Sequence, residues 1–386
     1  MRVDEYGRQD FEMIATGIRV YAFSIPFTRP VRVGGHVLEE RKGFLVRVED
    51  EKGHFGWGEI APLPGLDACT LPECYEDIRE LAARMREAGG IGLPSDTGPD
   101  IRPDTVQDFS PKKAFFRPAV RFGLDSALLG LKTGAGLNPA HKPGAPLTAA
   151  INGLFIPEPD MTSVRRQADR IVASGVSTVK VKIGRIPLEA ESAAIRYLYG
   201  RCGSRITFRL DANRLFSLDR YKAYYAKLSD LPVEYVEEPL ENGDFRSATA
   251  VGWPLAVDES LPSYWNAEAG RPEGLPETVS RIIVKPATPA GFSNVMRFFR
   301  GSRTGPLLPV ISSAYNTAYG ICGLLLHLKQ VPGADAIAHG LDTGAFLQYD
   351  LIDPPPVIRN GSITAPDHII WEKDLPDSGL AEEVVL

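Results

Sequence analysis

Two lysines two residues apart are the first side chains in this sequence that could carry chemistry. Lys180 and Lys182 lie in the run 179–184 (VKVKIG), whose β-branched residues and closing glycine predict a β-strand. Alternate side chains on a strand share a face, so both lysines point the same way and the hydrophobic residues enter an apolar layer. Adjacent ammonium groups repel, which lowers the pKa of each and suits a base near neutral pH. Taken alone, the run is better explained as a solvated edge strand with lysines that prevent aggregation, so the rest of the chain has to decide.

Carboxylates close the next three predicted strands. Asp211, Glu237 and Asp258 follow one another at intervals of about one βα unit. The carboxyl ends of parallel strands meet at one rim, so these acids would converge and repel unless a cation lay between them. Each acid taken singly is more simply an N-cap or a salt-bridge partner, whereas three in register favour a metal site. No HExxH motif or close histidine pair is present, so oxygen ligands and a hard ion such as Mg2+ are expected.

A third lysine, Lys285, ends a later strand and would face Lys182 across this ion. That arrangement suits proton abstraction next to a carboxylate, because a cation stabilises the developing enediolate while a lysine takes or returns the proton. Lys285 alone could instead be a Schiff-base lysine of an aldolase-type barrel. That chemistry does not require three carboxylates, so we rank it lower.

The elements that must position these groups form repeated βα units from about residue 146. Eight strands in about 200 residues predict a closed (β/α)8-type barrel, in which active sites lie at the carboxyl ends of the strands. A doubly wound sheet is the weaker alternative, because no strand is followed by a phosphate-binding loop. The predicted strands are 147–155, 178–184, 206–213, 233–240, 255–260, 281–287, 307–314 and 334–341.

The N-terminal part predicts an antiparallel meander over 13–61, with helices at 71–85 and 118–131 and an irregular segment at 92–111. The segment Arg29–His36 within the meander is either a mobile lid or a plain hairpin connection. After residue 344 the βα pattern ends, and the tail (Val357-Ile358, Ile369-Ile370) predicts short strands that return to the N-terminal part. We therefore divide the chain into three parts: a capping domain at 1–143, a barrel at 144–344 and a returning segment at 345–386.

Composition excludes several classes of partner. A net charge of −6 gives no basis for binding nucleic acid or an anionic membrane, and no apolar run approaches the length of a membrane span. The charged N-terminus lacks the apolar core of a signal peptide. Four scattered cysteines suit a reducing cytoplasm. The expected partner is a small-molecule carboxylate, and the sequence does not determine the oligomeric state.

Five motifs in order, KxK (180–182), RxDAN (209–213), EEP (237–239), DES (258–260) and VKP (284–286), resemble the enolase superfamily, muconate-cycloisomerase subgroup. That superfamily is a known case of a Lys or His base acting with Mg2+. Within it the chain most resembles the o-succinylbenzoate synthase family. This second resemblance is carried by segments 56–65 (GWGEIAPLPG), 209–214, 311–313 and 340–343.

The resemblance implies a modified barrel, (β/α)7β, with an α+β capping domain. It also implies a Mg2+-dependent hydro-lyase of menaquinone biosynthesis, with Mn2+ as a substitute ion. This enzyme would dehydrate 2-succinyl-6-hydroxy-2,4-cyclohexadiene-1-carboxylate to 2-succinylbenzoate. The alternatives are an N-succinylamino acid racemase, a dipeptide epimerase or a muconate-type cycloisomerase of the same superfamily.

The resemblance also implies a role for each matched residue. Lys182 is the acid/base, Lys180 keeps its pKa low and sits near the substrate carboxylate, and Lys285 stabilises the intermediate from the opposite face. The implied Mg2+ ligands are Asp211, Glu237 and Asp258. The implied substrate-binding residues are Asn213, Ser313, Arg29 and His36.

Two departures from the subgroup pattern bear on specificity. Asn316 stands where Ser-Ser-x-x-Glu relatives carry a carboxylate, which puts a carboxylate role at this position in doubt. Dipeptide epimerases carry Asp-x-Asp after the eighth strand, whereas the segment 340–343 (GLDT) has a single acid. This counts against dipeptide epimerisation and leaves racemisation of N-succinylamino acids open.

Overall fold

The structure is a computed structural model, and it describes residues 11–94, 116–133, 146–301, 307–366 and 381–384. Strands β1 (Phe11–Val33), β2 (His36–Asp50) and β3 (Phe55–Ile60) pair antiparallel in chain order, which confirms the predicted meander. Within these described ranges, no helix is long and apolar enough to cross a membrane.

The segment that includes Arg29 and His36 is a hairpin tip. Gly34 and Gly35 form its two-residue turn with φ of 50° and 85°, the left-handed conformation that tight hairpins need. Arg29 lies at a bulge near the end of β1, and His36 is the first residue of β2. The segment therefore has the geometry of a hairpin, with both side chains exposed, and its role as a lid stays a prediction.

Helices α1 (Leu71–Ala88) and α2 (Pro118–Thr133) complete the cap, together with strand β4 (Ile91–Pro94), which pairs with β1. The segment 92–111, predicted to be irregular, is therefore a strand as far as Pro94, and its remainder lies outside the described residues. Helix α2 packs closely on β3 because β3 presents glycines to it. A Cβ at Gly56 or Gly58 would lie within 1.9 Å of a helix carbonyl oxygen.

The barrel is a seven-stranded parallel sheet in the order β14-β13-β10-β9-β8-β7-β6. Most valines and leucines of its strands are almost fully buried, as expected for strands covered on both faces. The strands from residue 146 onward are β5 (Thr148–Ala150), β6 (Gly153–Phe155), β7 (Thr178–Lys182), β8 (Thr207–Asp211), β9 (Val233–Glu237), β10 (Leu255–Val257), β11 (Trp265–Asn266), β12 (Arg271–Pro272), β13 (Val279–Val284) and β14 (Leu308–Ile311). The helices are α3 (Met161–Ser174), α4 (Leu188–Cys202), α5 (Leu218–Leu228), α6 (Phe245–Thr249), α7 (Leu261–Tyr264), α8 (Phe292–Gly301) and α9 (Ala318–Leu328).

The predicted strand 334–341 is wrong as a regular element. A 3-10 turn occupies Ala334–Ala336, and two isolated parallel bridges follow, from His339 to Ile151 and from Gly340 to Ser312. These bridges join the end of β14 to the start of the sheet and close the ring. The His339 ring also contributes: its Nδ1 accepts from the Ile311 amide at 3.1 Å, and its Nε2 lies 2.8 Å from the Ala334 carbonyl oxygen.

The chain's last described segments pair with two different parts of the molecule. Strands β15 (Val357–Arg359) and β16 (Ser362–Thr364) form a hairpin on β5. The expectation that Val357-Ile358 returns to the N-terminal part is therefore wrong. Strand β17 (Ala381–Val384) does pair with β1, and Ile369-Ile370 lies outside the described residues.

Cap and barrel share one apolar core, which runs from the inner face of β1 to the barrel helices. At the contact, Trp57 of β3 packs between Tyr21 of β1, at a tilted angle, and Tyr319 of α9, edge-on, with ring centroids 5.4 Å apart on each side. Aromatic packing of this kind adds to the apolar area that the contact buries, so the cap is fixed directly on a barrel helix.

Candidate active site

The lysine pair lies on one face of β7, alternating with valines that are fully buried. The Lys180 Nζ is 2.8 Å from both carboxylate oxygens of Glu237 and 2.8 Å from Oδ2 of Asp211. The Lys182 Nζ is 2.6 Å from the same Asp211 oxygen and 3.0 Å from Oδ1 of Asn213. The strand therefore presents both ammonium groups to the acids of its neighbours.

The three acids come from adjacent strands and meet at one rim. Strand register places Asp211 beside Lys182 on one side and beside Glu237 on the other. Asp211 and Glu237 are at most 1% exposed. Asp258, just after β10, forms an ion pair with Lys285, just after β13. The structure thus brings together all six residues predicted from the strand ends.

Burial and neighbouring charge separate the pKa values of the acids. The charges of Lys180 and Lys182 outweigh burial and hold the pKa of Asp211 far below its ordinary value. Burial, together with the adjacent Asp211 charge, raises the pKa of Glu237 to about 8. Burial also raises the pKa of Asp258, although Lys285 opposes the shift.

The two lysines of the pair differ in the same way. Burial lowers the pKa of Lys182, and the neighbouring ammonium of Lys180 adds to that effect against the charge of Asp211. For Lys180, the charges of Asp211 and Glu237 outweigh burial and raise the pKa well above its ordinary value. The prediction that each lysine lowers the pKa of the other therefore holds for Lys182 and is wrong for Lys180. Lys182 is the one suited to lose a proton.

The donor set fits a hard divalent cation, with one condition. Within the described ranges no three acidic, histidine or cysteine side chains are already grouped as metal ligands. Instead the Lys180 ammonium lies between Asp211 and Glu237, placing a positive charge where both carboxylates converge. The residues could hold Mg2+ once the lysine stems rotate away from that position, because three buried carboxylates need compensating charge.

Asn213 orients the site. Its backbone has a left-handed φ of 44°, and its amide N–H donates to Oδ1 of Asp211 at 3.0 Å. Its side-chain oxygen accepts from Lys182 and, at 3.3 Å, from Nη2 of Arg185, while its side-chain nitrogen donates to Glu259 at 3.3 Å. Asn213 is thus in contact with the predicted base and with one predicted ligand.

Two acids that the sequence analysis left unassigned support this rim. Glu238 is buried and accepts from the amides of Asp258 and Ser260 at 2.9 and 2.8 Å, which fixes the loop that carries Asp258. Glu259 has an Oε2 that is buried and has no hydrogen-bond partner in the described part of the chain. Both follow a predicted ligand directly in the EEP and DES motifs, and that adjacency was the available signal.

The other predicted substrate-binding residues have no hydrogen bond to the three lysines within the described ranges. Ser313 donates to the Gly340 carbonyl oxygen at 3.0 Å and is 2.7 Å from the Thr343 hydroxyl, so it lies at the seam that closes the barrel. His36 lines an open groove of about 690 Å³ between β2 and residues 62–72. Asp67 lines the same groove, and the charge of Lys285 acts on its carboxyl group. Binding of substrate by Arg29, His36 and Ser313 stays a prediction.

A buried carboxylate from the cap meets the loop after β14. Glu59 accepts from Nδ2 of Asn316 at 2.6 Å, from the amide and hydroxyl of Thr317 at 2.9 and 2.6 Å, and from the Gly320 amide at 3.2 Å. Burial raises the pKa of Glu59. Arg41, also buried, donates to the Tyr315 carbonyl oxygen at 3.2 Å. Asn316, the residue that departs from the subgroup pattern, therefore holds a carboxylate of the cap.

Comparison with known families agrees with this geometry. Residues 163–299 match the family described as enolase C-terminal domain-like, and residues 15–95 match the MenC N-terminal domain. The chain thus carries an enolase-type C-terminal domain and a MenC-type N-terminal domain. It is an enzyme whose relatives include many o-succinylbenzoate synthases.

Among these relatives, the o-succinylbenzoate synthase of Photorhabdus laumondii is 28% identical over 86% of this chain and 92% of its own length. The Arabidopsis thaliana protein PHYLLO is 25% identical over 81% of this chain, which spans only 20% of that longer protein.

Solved structures show the same fold. A muconate lactonizing enzyme from Mycobacterium smegmatis, complexed with muconolactone, has a TM-score of 0.73 at 20% identity and covers 97% of this chain and 100% of its own. A dipeptide epimerase from Enterococcus faecalis, complexed with Mg and a dipeptide, has a TM-score of 0.71 at 21% identity over 92% of this chain and 98% of its own. At these identities the likeness concerns architecture alone.

Proposed function

We propose that the protein is a Mg2+-dependent o-succinylbenzoate synthase. It would dehydrate 2-succinyl-6-hydroxy-2,4-cyclohexadiene-1-carboxylate to 2-succinylbenzoate, in the cytoplasm and as part of menaquinone biosynthesis. One observation carries the proposal: Lys182, whose pKa is lowered, lies 2.6 Å from Asp211 on a rim that also holds the buried Glu237 and the ion pair of Asp258 with Lys285. The synthase relatives and the MenC match support the choice of substrate.

Asp211, Glu237 and Asp258 would hold Mg2+, or Mn2+ as a substitute. When bound, the ion supplies positive charge that favours a negatively charged intermediate at the substrate carboxylate. The Mg-complexed epimerase of the same fold supports a divalent ion here.

The chain's own lysines would carry the protons. Lys182, neutral at Nζ, takes the α-proton of the substrate and becomes an ammonium group. It then donates that proton to the departing hydroxyl on the same side, which leaves as water while the ring becomes aromatic. Lys180, whose raised pKa keeps it charged, binds the substrate carboxylate. Lys285 stays charged for the same reason, because Asp258 and Glu259 outweigh burial and raise its pKa.

The state of Lys285 also separates dehydration from racemisation. A racemase needs a base on one face of the substrate and a proton donor on the other. The two groups exchange these roles when the reaction runs in the opposite direction. Lys285, with a raised pKa and an ion pair to Asp258, suits the role of a fixed cation better than that of a base. Racemase, epimerase and cycloisomerase activities of the same site therefore rank below the dehydration.

Purified protein with Mg2+ tests the proposal directly. We expect the diene absorbance to be lost, the loss to stop after chelation with EDTA, and Mg2+ or Mn2+ to restore it. A parallel assay follows racemisation of N-succinylamino acids by optical rotation. No loss of diene absorbance with Mg2+ present would refute the synthase, and fast racemisation in that case would establish the runner-up.

A further inference from the structure

The backbone of the turn that follows β7 is fixed by hydrogen bonds to a buried carboxylate. The amides of Gly184 and Arg185 donate to the two carboxylate oxygens of Glu191 at 2.8 and 3.2 Å. Glu191 is fully buried, and the Tyr224 hydroxyl donates to it at 2.6 Å. A buried carboxylate with this many donors fixes the backbone of the turn, so the base of the Arg185 side chain has a defined position.

The Arg185 side chain is exposed and points back to the site. Its Nη2 donates to Oδ1 of Asn213, the oxygen that also accepts from Lys182, so the guanidinium lies two hydrogen bonds from the predicted base. No carboxylate within the described ranges forms an ion pair with Arg185. A guanidinium held here has donors left for an anion.

Tyr315 lies where the cap meets the loop after β14, and the charge of Arg185 acts on its hydroxyl. Its ring packs edge-on against Phe27 of the cap and Phe346, with centroids 5.4 and 5.3 Å away. Its backbone has a left-handed φ of 56°, which is costly for a bulky residue and is typical of functional positions. Burial raises the pKa of its hydroxyl, which therefore keeps its proton as a donor, although the charges of Arg185, Arg29 and Lys285 oppose that shift.

We infer that Arg185 and the Tyr315 hydroxyl bind the second carboxylate of the substrate, at the end of its succinyl arm. The inference rests on the proposed function, in which the first carboxylate lies at Lys180 and the metal ligands. A dicarboxylate then needs a second cationic site one short arm away from the base, and Arg185 supplies it with the fork geometry that suits a carboxylate. A monocarboxylate would gain nothing from this subsite.

Binding of two ligands to two proteins tests the inference. Calorimetric titration with Mg2+ present compares 2-succinylbenzoate with 2-butanoylbenzoate, whose arm ends in a methyl group, on wild type and Arg185→Met. We expect the substitution to weaken binding of 2-succinylbenzoate by about tenfold or more, the loss of one charge-assisted contact. Binding of 2-butanoylbenzoate should change less than about twofold, because it has no second carboxylate.

Three further variants sharpen the result. Arg185→Lys should recover part of the affinity, since it keeps the charge and loses the fork. Tyr315→Phe should weaken 2-succinylbenzoate binding by about threefold to tenfold. Arg196→Met, which removes an exposed arginine paired with Asp230, is the matched control and should change neither ligand.

The outcomes separate the inference from the proposed function. Equal loss of both ligands in Arg185→Met, no loss of either, or a wild type that binds neither ligand would overturn the inference. If the selective loss is found but wild type does not consume the diene, the subsite stands and the proposed reaction fails. If the diene is consumed and KM is unchanged in Arg185→Met, the reaction stands and the subsite fails.

Discussion

The molecule buries two clusters of charged and polar side chains, and they are stabilised by different kinds of donor. In the interface cluster, Glu59 is held by an amide side chain, a hydroxyl and two backbone amides. In the rim cluster, the carboxylates are held chiefly by lysine ammonium groups. The interface cluster comprises Arg41, Glu59, Asn316 and Thr317, and the rim cluster comprises Lys180, Lys182, Asp211, Glu237, Asp258 and Lys285.

The difference follows from what each donor can do. Backbone amides and short side chains cannot leave without unfolding the loop that carries them, so Glu59 joins cap to barrel permanently. An ammonium group on a four-carbon stem can rotate away and be replaced by another cation or by a substrate. Buried charge is therefore structural in the first cluster and exchangeable in the second, and mutations should divide along that line.

The largest expected effect is on turnover. Lys182→Ala removes the base and should lower kcat by about a thousandfold, while the fold remains because the neighbouring Lys180 still compensates Asp211. Circular dichroism and the diene assay measure the two quantities. The matched control is Lys222→Ala, an exposed lysine of α5. Full activity in Lys182→Ala would favour a non-catalytic binding barrel.

Removing the interface carboxylate should instead act on stability. Glu59→Ala leaves the donors of Asn316, Thr317 and Gly320 unpaired and removes one of the two acids, Glu59 and Asp67, whose charges act on the buried Arg41. We expect the free energy of unfolding in urea to fall by about 3–5 kcal/mol. Glu40→Ala, an exposed acid on the same sheet, should cost under about 1 kcal/mol. Equal losses of unfolding free energy in the two variants would show that the buried Glu59 contributes no more to stability than an exposed acid does.

A smaller effect should come from crowding the interface cluster. A Cβ at Gly320 would lie 2.9 Å from Cδ of Glu59 and 2.8 Å from Cβ of Asn316. Gly320→Ala should therefore lower the free energy of unfolding by about 1–3 kcal/mol, despite the better helix propensity of alanine. Gly200→Ala in α4 meets nothing within 4 Å and should be neutral or slightly stabilising. Thermal unfolding of the two variants makes the comparison.

The smallest expected effect, counted per pH unit, is a pH dependence of the free energy of unfolding that comes from the rim cluster. The pKa of Glu237 is raised from its ordinary value of 4.5 to about 8 in the folded protein. Between those two pH values the folded protein therefore holds a proton on Glu237 that the unfolded chain releases. The folded state binds more protons there, so the free energy of unfolding without metal should fall as pH rises, by at most about 1.4 kcal/mol per pH unit. Glu237→Gln should flatten the slope. A slope unchanged in that variant would place the titration elsewhere.

The rim positions could be predicted from sequence because strand periodicity and βα spacing determine them. Lys180, Lys182 and Asp211 share a face and a register in the structure as predicted. The raised pKa of Lys180 could not be predicted from sequence, because it depends on two acids that approach one ammonium group to 2.8 Å. The contact between Glu59 and Asn316 joins residues 257 positions apart, and no local pattern signals such a pair.

The barrel's last element was mispredicted for a related reason. The run 334–341 has the apolar composition of a strand, but its pairing is reduced to two bridges and the hydrogen bonds of one imidazole ring. The composition of a segment indicates whether it can be buried, but it does not determine how many backbone hydrogen bonds the segment forms with neighbouring strands. The division of the chain at residues 143 and 344 stays a proposal.

The closing seam has a consequence for synthesis of the chain on the ribosome. His339 and Gly340 follow every strand of the barrel sheet, so a nascent chain released only as far as β14 is an open curl with the edges of β6 and β14 unpaired. Free edges of this kind recruit strands from other chains. The nascent chain is therefore most prone to aggregation before residue 340 leaves the ribosome. A slow codon that prolongs this interval should reduce the yield of soluble protein more than a slow codon read after residue 340 has emerged.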